Sequence, residues 1–319
     1  MIVACSNDYL GLADDPAVRA AARGTGAGGS RLISGDRPVH RALEAAVSDW
    51  LGRPTLVFAS GWHANLAVFS TVCTAGQVVA SDALNHASII DGLRLSRARR
   101  TVVPHAAPDA IPADADLVVV EGLYSMDGDV PALQDYPRSP WLAVDEAHAV
   151  GCLGPDGRGV AAAQGVQPDV LIGTFGKAFG AAGGFVSGSQ ELIDLLVNAG
   201  RTFIFSTAPP EPVMAMALAG FRGATAAHRE RLAANAAHLR RGLIDLGWAP
   251  LGVAHIVPVV VGDGAVALAD RLLRGGVFAP AIRWPTVARG QERIRFTVSA
   301  AHTPAQLDRV CEAMGPRRD

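Results

Sequence analysis

The sequence predicts an α/β enzyme, with a large domain on a mainly parallel seven-stranded sheet and a smaller C-terminal α/β domain. Three observations carry this. Short apolar runs without alternation, such as Leu117-Val118-Val119-Val120, Trp141-Leu142-Ala143-Val144 and Val170-Leu171-Ile172-Gly173, read as strands buried on both faces. Stretches with helical apolar spacing separate the runs, so strand and helix alternate. Polar residues gather where strands end, at Asp82, Glu121, Asp145 and Lys177. Open α/β sheets hold ligands at that edge.

The elements follow in order. A turn-rich opening leads to a short helix from Pro16 to Arg23, with proline suited to its first turn. Glycines 24, 26 and 29 match G-x-G-x-x-G, but a dinucleotide fingerprint needs a preceding buried strand, and a helix precedes this one. A flexible loop that closes over a site is the expected use. Val39, Leu43, Ala46, Val47 and Trp50 recur at helical spacing, and Leu56 to Ala59 reads as a strand. Ser60-Gly61-Trp62 opens another helix, whose free N–H groups offer either a phosphate seat or an ordinary cap. Strands then follow at 78–80, 101–103, 117–120, 141–144, 170–173 and 184–187, with a helix at 87–95. Pro209, Pro210 and Pro212 mark a change before a long helical stretch. Strands at 255–261 and 293–299 close the chain in an antiparallel sheet, the second alternating as if one face were solvated. The expected division is an N-terminal segment over 1–30, a large domain over 31–215 and a small domain over 216–319.

Composition excludes several classes. A chain of 319 residues exceeds one ordinary core. A net charge of −2 gives no footprint for nucleic acid or a membrane surface. The short cluster Arg97, Arg99, Arg100 reads as a solvated helix end. Cys5, Cys73, Cys152 and Cys311 are scattered, so neither a zinc site nor a disulfide framework is indicated. No apolar run approaches a membrane span and no signal segment follows Met1. A reduced, cytoplasmic enzyme fits.

Lys177 is the only lysine; the other basic residues are arginine. Arginine cannot act as an amine nucleophile, whereas lysine can form a Schiff base. One reading of Lys177 is therefore an imine-forming amine; the other is the chance result of a GC-rich genome. Asp145 ends the strand before it, at a spacing that fits one parallel crossover. A lysine and a carboxylate at neighbouring strand ends suit pyridoxal phosphate, the carboxylate keeping the pyridine nitrogen protonated. His86 and His148 could supply a stacking ring and a hydrogen bond to the phenolic oxygen. Asp145-Glu146-Ala147-His148 could also belong to a metal site, but no partner spacing completes one.

The segments SNDYLGL (6–12), GAGGSRLISG (26–35), SGWHAN (60–65), NHASIIDG (85–92), EGLYSMDGD (121–129), VDEAHAVG (144–151), TFGKAFG (174–180), FIFSTAPP (203–210) and AIRWPTV (281–287) run through nearly the whole chain. Together they resemble the α-oxoamine synthases, a branch of the fold-type I pyridoxal-phosphate-dependent transferases, and most closely the member serving biotin synthesis. The resemblance implies an acyltransferase joining L-alanine to a pimeloyl thioester, on coenzyme A or a carrier protein, in a homodimer with shared active sites. It implies that Lys177 holds the cofactor, Asp145 pairs with the ring nitrogen and His86 stacks on the ring. His148 and Ser125 would contact the phenolic side. Gly61, Trp62 and Thr174 would bind the phosphate, approached by Ser206 and Thr207 of the neighbouring subunit. Arg283 would hold the substrate carboxylate, with Thr286 nearby. The family usually carries some tens of residues before SNDYLGL, including an arginine thought to meet the distal acyl carboxylate. Here that extension is nearly absent, and Trp284 stands where proline is common, so the acyl donor stays open. Glycine or serine with other acyl thioesters are alternatives. A non-catalytic partner subunit is another, although such a subunit would be expected to lack the lysine.

Overall fold

The computed structural model of the chain describes residues 1–137 and 139–317. Contacts divide the chain into two compact units, one of Leu12–Leu123 and Pro131–Ala224, the other of Met1–Gly11, Tyr124–Val130 and Thr225–Asp319. These limits differ from divisions at 30/31 and 215/216. After β1 (Ile2–Val3), which belongs to the smaller unit, the larger unit runs α1 (Pro16–Ala20), α2 (Pro38–Leu51), β2 (Thr55–Phe58), α3 (Gly61–Val72), β3 (Val78–Asp82), α4 (Ala87–Leu95) and β4 (Arg99–Val103). It continues through β5 (Leu117–Glu121), β6 (Trp141–Asp145), α5 (Val160–Ala163), β7 (Val170–Thr174) and β8 (Gly184–Ser187) to α6 (Gln190–Ala199), α7 (Arg201–Ile204) and α8 (Glu211–Gly223).

The seven strands form one sheet in the order β2-β8-β7-β6-β5-β3-β4, and only β8 runs against its neighbours. Both faces are covered, which is why the strands read as unbroken apolar runs. Along β2, Leu56 and Phe58 enter a cluster with Val68, Phe69 and Ile89 of α3 and α4. Val57, between them, enters the opposite cluster with Leu43, Val47, Phe185 and Met214. Each such side chain contributes about 1.5–3 kcal/mol on burial. Ser60 caps α3 by accepting the N–H of His63 (3.2 Å). Helix α1 ends at Ala20 rather than Arg23, and residues 24–30 are tied down. The N–H groups of Ala208 and Glu211 donate to Gly29 and Thr25 carbonyls, and Arg37 donates to that of Ala27. In the loop expected to close over a site, the carbonyls of Thr25, Ala27 and Gly29 are thus engaged.

The smaller unit adds α9 (Ala226–Asp245), β9 (Ile256–Val260), α10 (Ala265–Arg274), β10 (Val277–Phe278), β11 (Ala281–Ile282), β12 (Arg293–Thr297) and α11 (Pro304–Met314). Its sheet is antiparallel, in the order β11-β12-β9, as the sequence predicts, while β1 pairs with β10 in parallel. One expectation fails here. No residue of β12 faces solvent; Arg293 and Arg295 are 4% and 7% exposed. Arg293 donates to the Asp127 carboxylate (2.6 Å) and the Met126 carbonyl (3.1 Å), and Arg295 donates to the Ser125 carbonyl. Buried acceptors from the 124–130 segment replace water, so alternation did not mean exposure. No helix among the described residues is long and apolar enough to cross a membrane.

Helix α8 provides a test of packing. A Cβ on Gly220 would lie 2.0 Å from the Phe179 carbonyl oxygen, whereas one on Gly223 would meet nothing nearer than 4.0 Å. Gly220→Ala should lower the urea-unfolding free energy by about 1–3 kcal/mol. Gly223→Ala should leave it unchanged or raise it by up to ~1 kcal/mol.

Candidate active site

Four of the mutually parallel strands end on polar side chains: Asp82, Glu121, Asp145 and Thr174, all buried. Glu121 and Asp145 are direct partners across β5 and β6, and Asp145 faces Ile172 of β7. The loop after β7 carries Lys177. Thr174 Oγ1 donates to the Gly183 carbonyl (2.8 Å) and accepts the Gly176 N–H (3.0 Å), which closes that loop at its base.

Two carboxyls meet at adjoining strand ends, and their surroundings differ. Asp145 Oδ1 accepts the N–H of Ala147 (2.9 Å) and Oδ2 accepts the amide of Asn65 (2.8 Å). Burial pushes the Glu121 carboxyl well above its ordinary value, and the Asp145 charge adds to this. The Lys177 ammonium and the N–H of His86 oppose it. Burial pulls the His86 imidazole down; Asp145 pulls it up, and Lys177 pushes it down again. Asp145 and Lys177 thus act electrostatically on both His86 and Glu121. Trp62 meets the His86 ring edge-on at 5.9 Å.

The N-terminus of α3 completes the group. Ser60 and its carbonyl satisfy His63 and Ala64, whereas the N–H groups of Gly61 and Trp62 have no acceptor within the described chain. A Cβ on Gly61 would lie 3.6 Å from Thr174 Cβ, and one on Gly184 would lie 2.5 Å from the Gly61 nitrogen. Backbone therefore approaches backbone at this corner, leaving two donors and a helix dipole for an anion. An anion seat, a carboxylate held by two N–H donors, an imidazole and an amine make a donor set that fits pyridoxal phosphate.

The larger unit thus carries Gly61, Trp62, His86, Asp145, Thr174 and Lys177 at strand and helix ends that touch or act on one another. His148 is buried on the turn fixed by Ala147. Ser206 and Thr207 line a small depression with Arg31, Phe58 and Ala59. Ser125, Arg283 and Thr286 belong to the smaller unit. There, Ser125 gives its carbonyl to Arg295, and Arg283 and Thr286 are exposed on one turn. Sequence reasoning passed over Asn65 and Ser88. Asn65 carried a signal: it falls four residues after Gly61, one turn along the same helix face.

Glu146, open from the sequence to a metal role, is fully buried and accepts the N–H groups of Val160 (3.0 Å) and Ala161 (2.7 Å). A Cβ on Gly122 or Gly159 would strike its carboxylate at 2.3 or 2.7 Å. Burial pushes this carboxyl up to about 7 from an ordinary 4.5, although both N–H donors pull it down. Between those values the folded chain keeps a proton that the unfolded chain has lost. Its contribution to stability therefore falls as pH rises through that window and is level above it. Glu146→Gln should remove the slope. In urea titrations at stepped pH, the variant should gain about 3 kcal/mol on the parent across the window.

The profile of the family described as aminotransferase class I and II matches residues 1–314. An 8-amino-7-oxononanoate synthase from Anaeromyxobacter dehalogenans is 45% identical, covering 98% of this chain and 88% of its own. Among solved structures, the serine palmitoyltransferase of Sphingomonas wittichii superposes with a TM-score of 0.94 at 32% identity, covering 98% of this chain and 86% of that one. A variant of the serine palmitoyltransferase from S. paucimobilis, with a bound PLP–myriocin aldimine, gives 0.93 at 34% identity with the same coverage.

Proposed function

The chain belongs to the aminotransferase class I and II family, and on that footing we propose that it condenses L-alanine with a pimeloyl thioester to form 8-amino-7-oxononanoate for biotin synthesis. The thioester is carried by coenzyme A or a carrier protein; its thiol and one carbon dioxide leave. The observation that carries this reading is the 45% identity to a protein of that activity along 98% of the chain. The clustering of Lys177 with a doubly held Asp145 supports it.

Pyridoxal 5′-phosphate, the cofactor, supplies when bound a protonated ring that withdraws electrons from the amino acid's Cα. The residues do the rest. Lys177 Nζ would hold the cofactor and, as a free amine, would take the Cα proton of alanine. Asp145, fixed by Asn65 and Ala147, keeps the ring nitrogen protonated. The N–H groups of Gly61 and Trp62, with Thr174, take the phosphate. His86 would stack on the ring and would steady the thioester carbonyl as negative charge grows on it. His148 and Ser125 serve the phenolic oxygen, Arg283 the alanine carboxylate, and Thr286 sits beside it.

A homodimer is part of the proposal, with Ser206 and Thr207 reaching the phosphate of the other copy. Next to them Phe205 is 71% exposed, and Ile33 and Leu32, on the neighbouring turn, are 84% and 49% exposed. A second copy would cover this apolar surface. The cysteines, all free, suit a reducing cytoplasm. The alternative that the solved structures favour is serine with a long acyl thioester.

Thiol release from a panel of acyl thioesters with alanine, glycine or serine decides the substrates; alanine with pimeloyl thioester should be fastest, and serine with a long acyl chain would transfer the assignment. Lys177→Arg should abolish turnover, and borohydride should no longer fix cofactor mass on the 174–180 peptide, because a guanidinium does not condense. Light scattering should give the mass of a dimer for the parent chain and of a monomer for Ile33→Asp.

A further inference from the structure

Asn65, which holds Asp145, and Ser88 connect the His86 ring to the Asp145 carboxylate. Asn65 is 2% exposed, and its amide nitrogen donates one proton to Asp145 Oδ2 and the other to Ser88 Oγ, each at 2.8 Å. Exchanging the two ends of the amide would set Oδ1 against a carboxylate oxygen, so Asp145 dictates its orientation. The buried Oδ1 is left without a partner. Such an orphan costs about 1–3 kcal/mol, which argues that the two donated protons matter more.

Ser88 continues the path. Its backbone N–H donates to His86 Nδ1 (3.2 Å), and its Oγ lies 2.7 Å from the same nitrogen. Because the Ser88 N–H already donates to Nδ1, that nitrogen carries no proton, and the Oγ contact is made by the hydroxyl proton. Both contacts therefore make Nδ1 an acceptor, and in the neutral ring the proton must sit on Nε2. We propose that Asn65 and Ser88 are positioning residues that lock His86 as the Nε2–H tautomer and set that choice from the Asp145 end.

The groups around His86 act in both directions. Asp145 favours the charged ring, while burial and the Lys177 ammonium oppose it. Glu121 accepts the His86 backbone N–H, and Trp62 abuts the ring edge. Protonating Nδ1 would aim its N–H at two donors, so the Asn65–Ser88 path adds to the neutral side. Nε2–H then remains a donor for a carbonyl oxygen on which charge develops. That use rests on the role given to His86 above; the tautomer itself follows from the hydrogen bonds.

Proton–nitrogen correlation spectra of the full chain carrying isotope-labelled histidine, recorded with and without pyridoxal phosphate, test this. The expected result is an unprotonated, hydrogen-bonded Nδ1 and a protonated Nε2 on His86. Ser88→Ala should raise the His86 titration midpoint by about one pH unit and mix the tautomers. Ser88→Thr should restore both, and Asn65→Ala should act like Ser88→Ala. A protonated Nδ1 in the neutral parent overturns the proposal. So does an unmoved midpoint in a Ser88→Ala protein that melts at the parent temperature. If that variant does not fold, the parent tautomer alone decides. The expected tautomer in a chain that binds no pyridoxal phosphate would sink the functional reading and leave this inference standing.

Discussion

A buried carboxylate at the end of a parallel strand must be given hydrogen-bond donors, and the fold around Asp145 is arranged to do so. The next turn supplies one, through Ala147, and α3 supplies the other, through Asn65. Both come from backbone or side chains that cannot drift without exposing or orphaning the charge. The neighbouring acid, Glu121, accepts the His86 N–H, and burial pushes its carboxyl well above the ordinary value. The two strand ends thus sit in different surroundings, and the Lys177 ammonium acts electrostatically on Glu121.

The same crowding explains where glycine stands. Glu146 follows Asp145 and points its carboxylate into a space that Gly122 and Gly159 leave open, against the N–H groups of Val160 and Ala161. It anchors the turn carrying Asp145 and His148 to the start of α5. On the far side, Gly184 lets β8 approach the first residue of α3, bringing its unpaired N–H groups close to Thr174. These contacts are between backbone and backbone, or backbone and carboxylate, where one added methyl has nowhere to go.

The smaller unit uses charge in the opposite way. Arg293 and Arg295 are buried in its central strand, their guanidiniums taken up mainly by carbonyls of the 124–130 segment and by Asp127. Carbonyl acceptors satisfy a guanidinium without requiring a matching acid for each one, because its donors fan out in a plane. The segment that serves these arginines comes from the middle of the chain, so the unit is assembled from three separate stretches.

The sequence by itself determined the large sheet, because strands buried on both faces must be written as continuous apolar runs, and it singled out Lys177 and Asp145 by rarity and spacing. It misread β12, since alternation of arginine with apolar residues looks the same whether the acceptor is water or a buried carbonyl. Tertiary structure alone decided the pairings that give the site its charge pattern. Asn65 reaches Asp145 across 80 residues, and Ser88 reaches Asn65 across 23. A hydrogen bond depends on ångström-scale placement of two side chains, and only the packing of α3 and α4 on the sheet sets that distance.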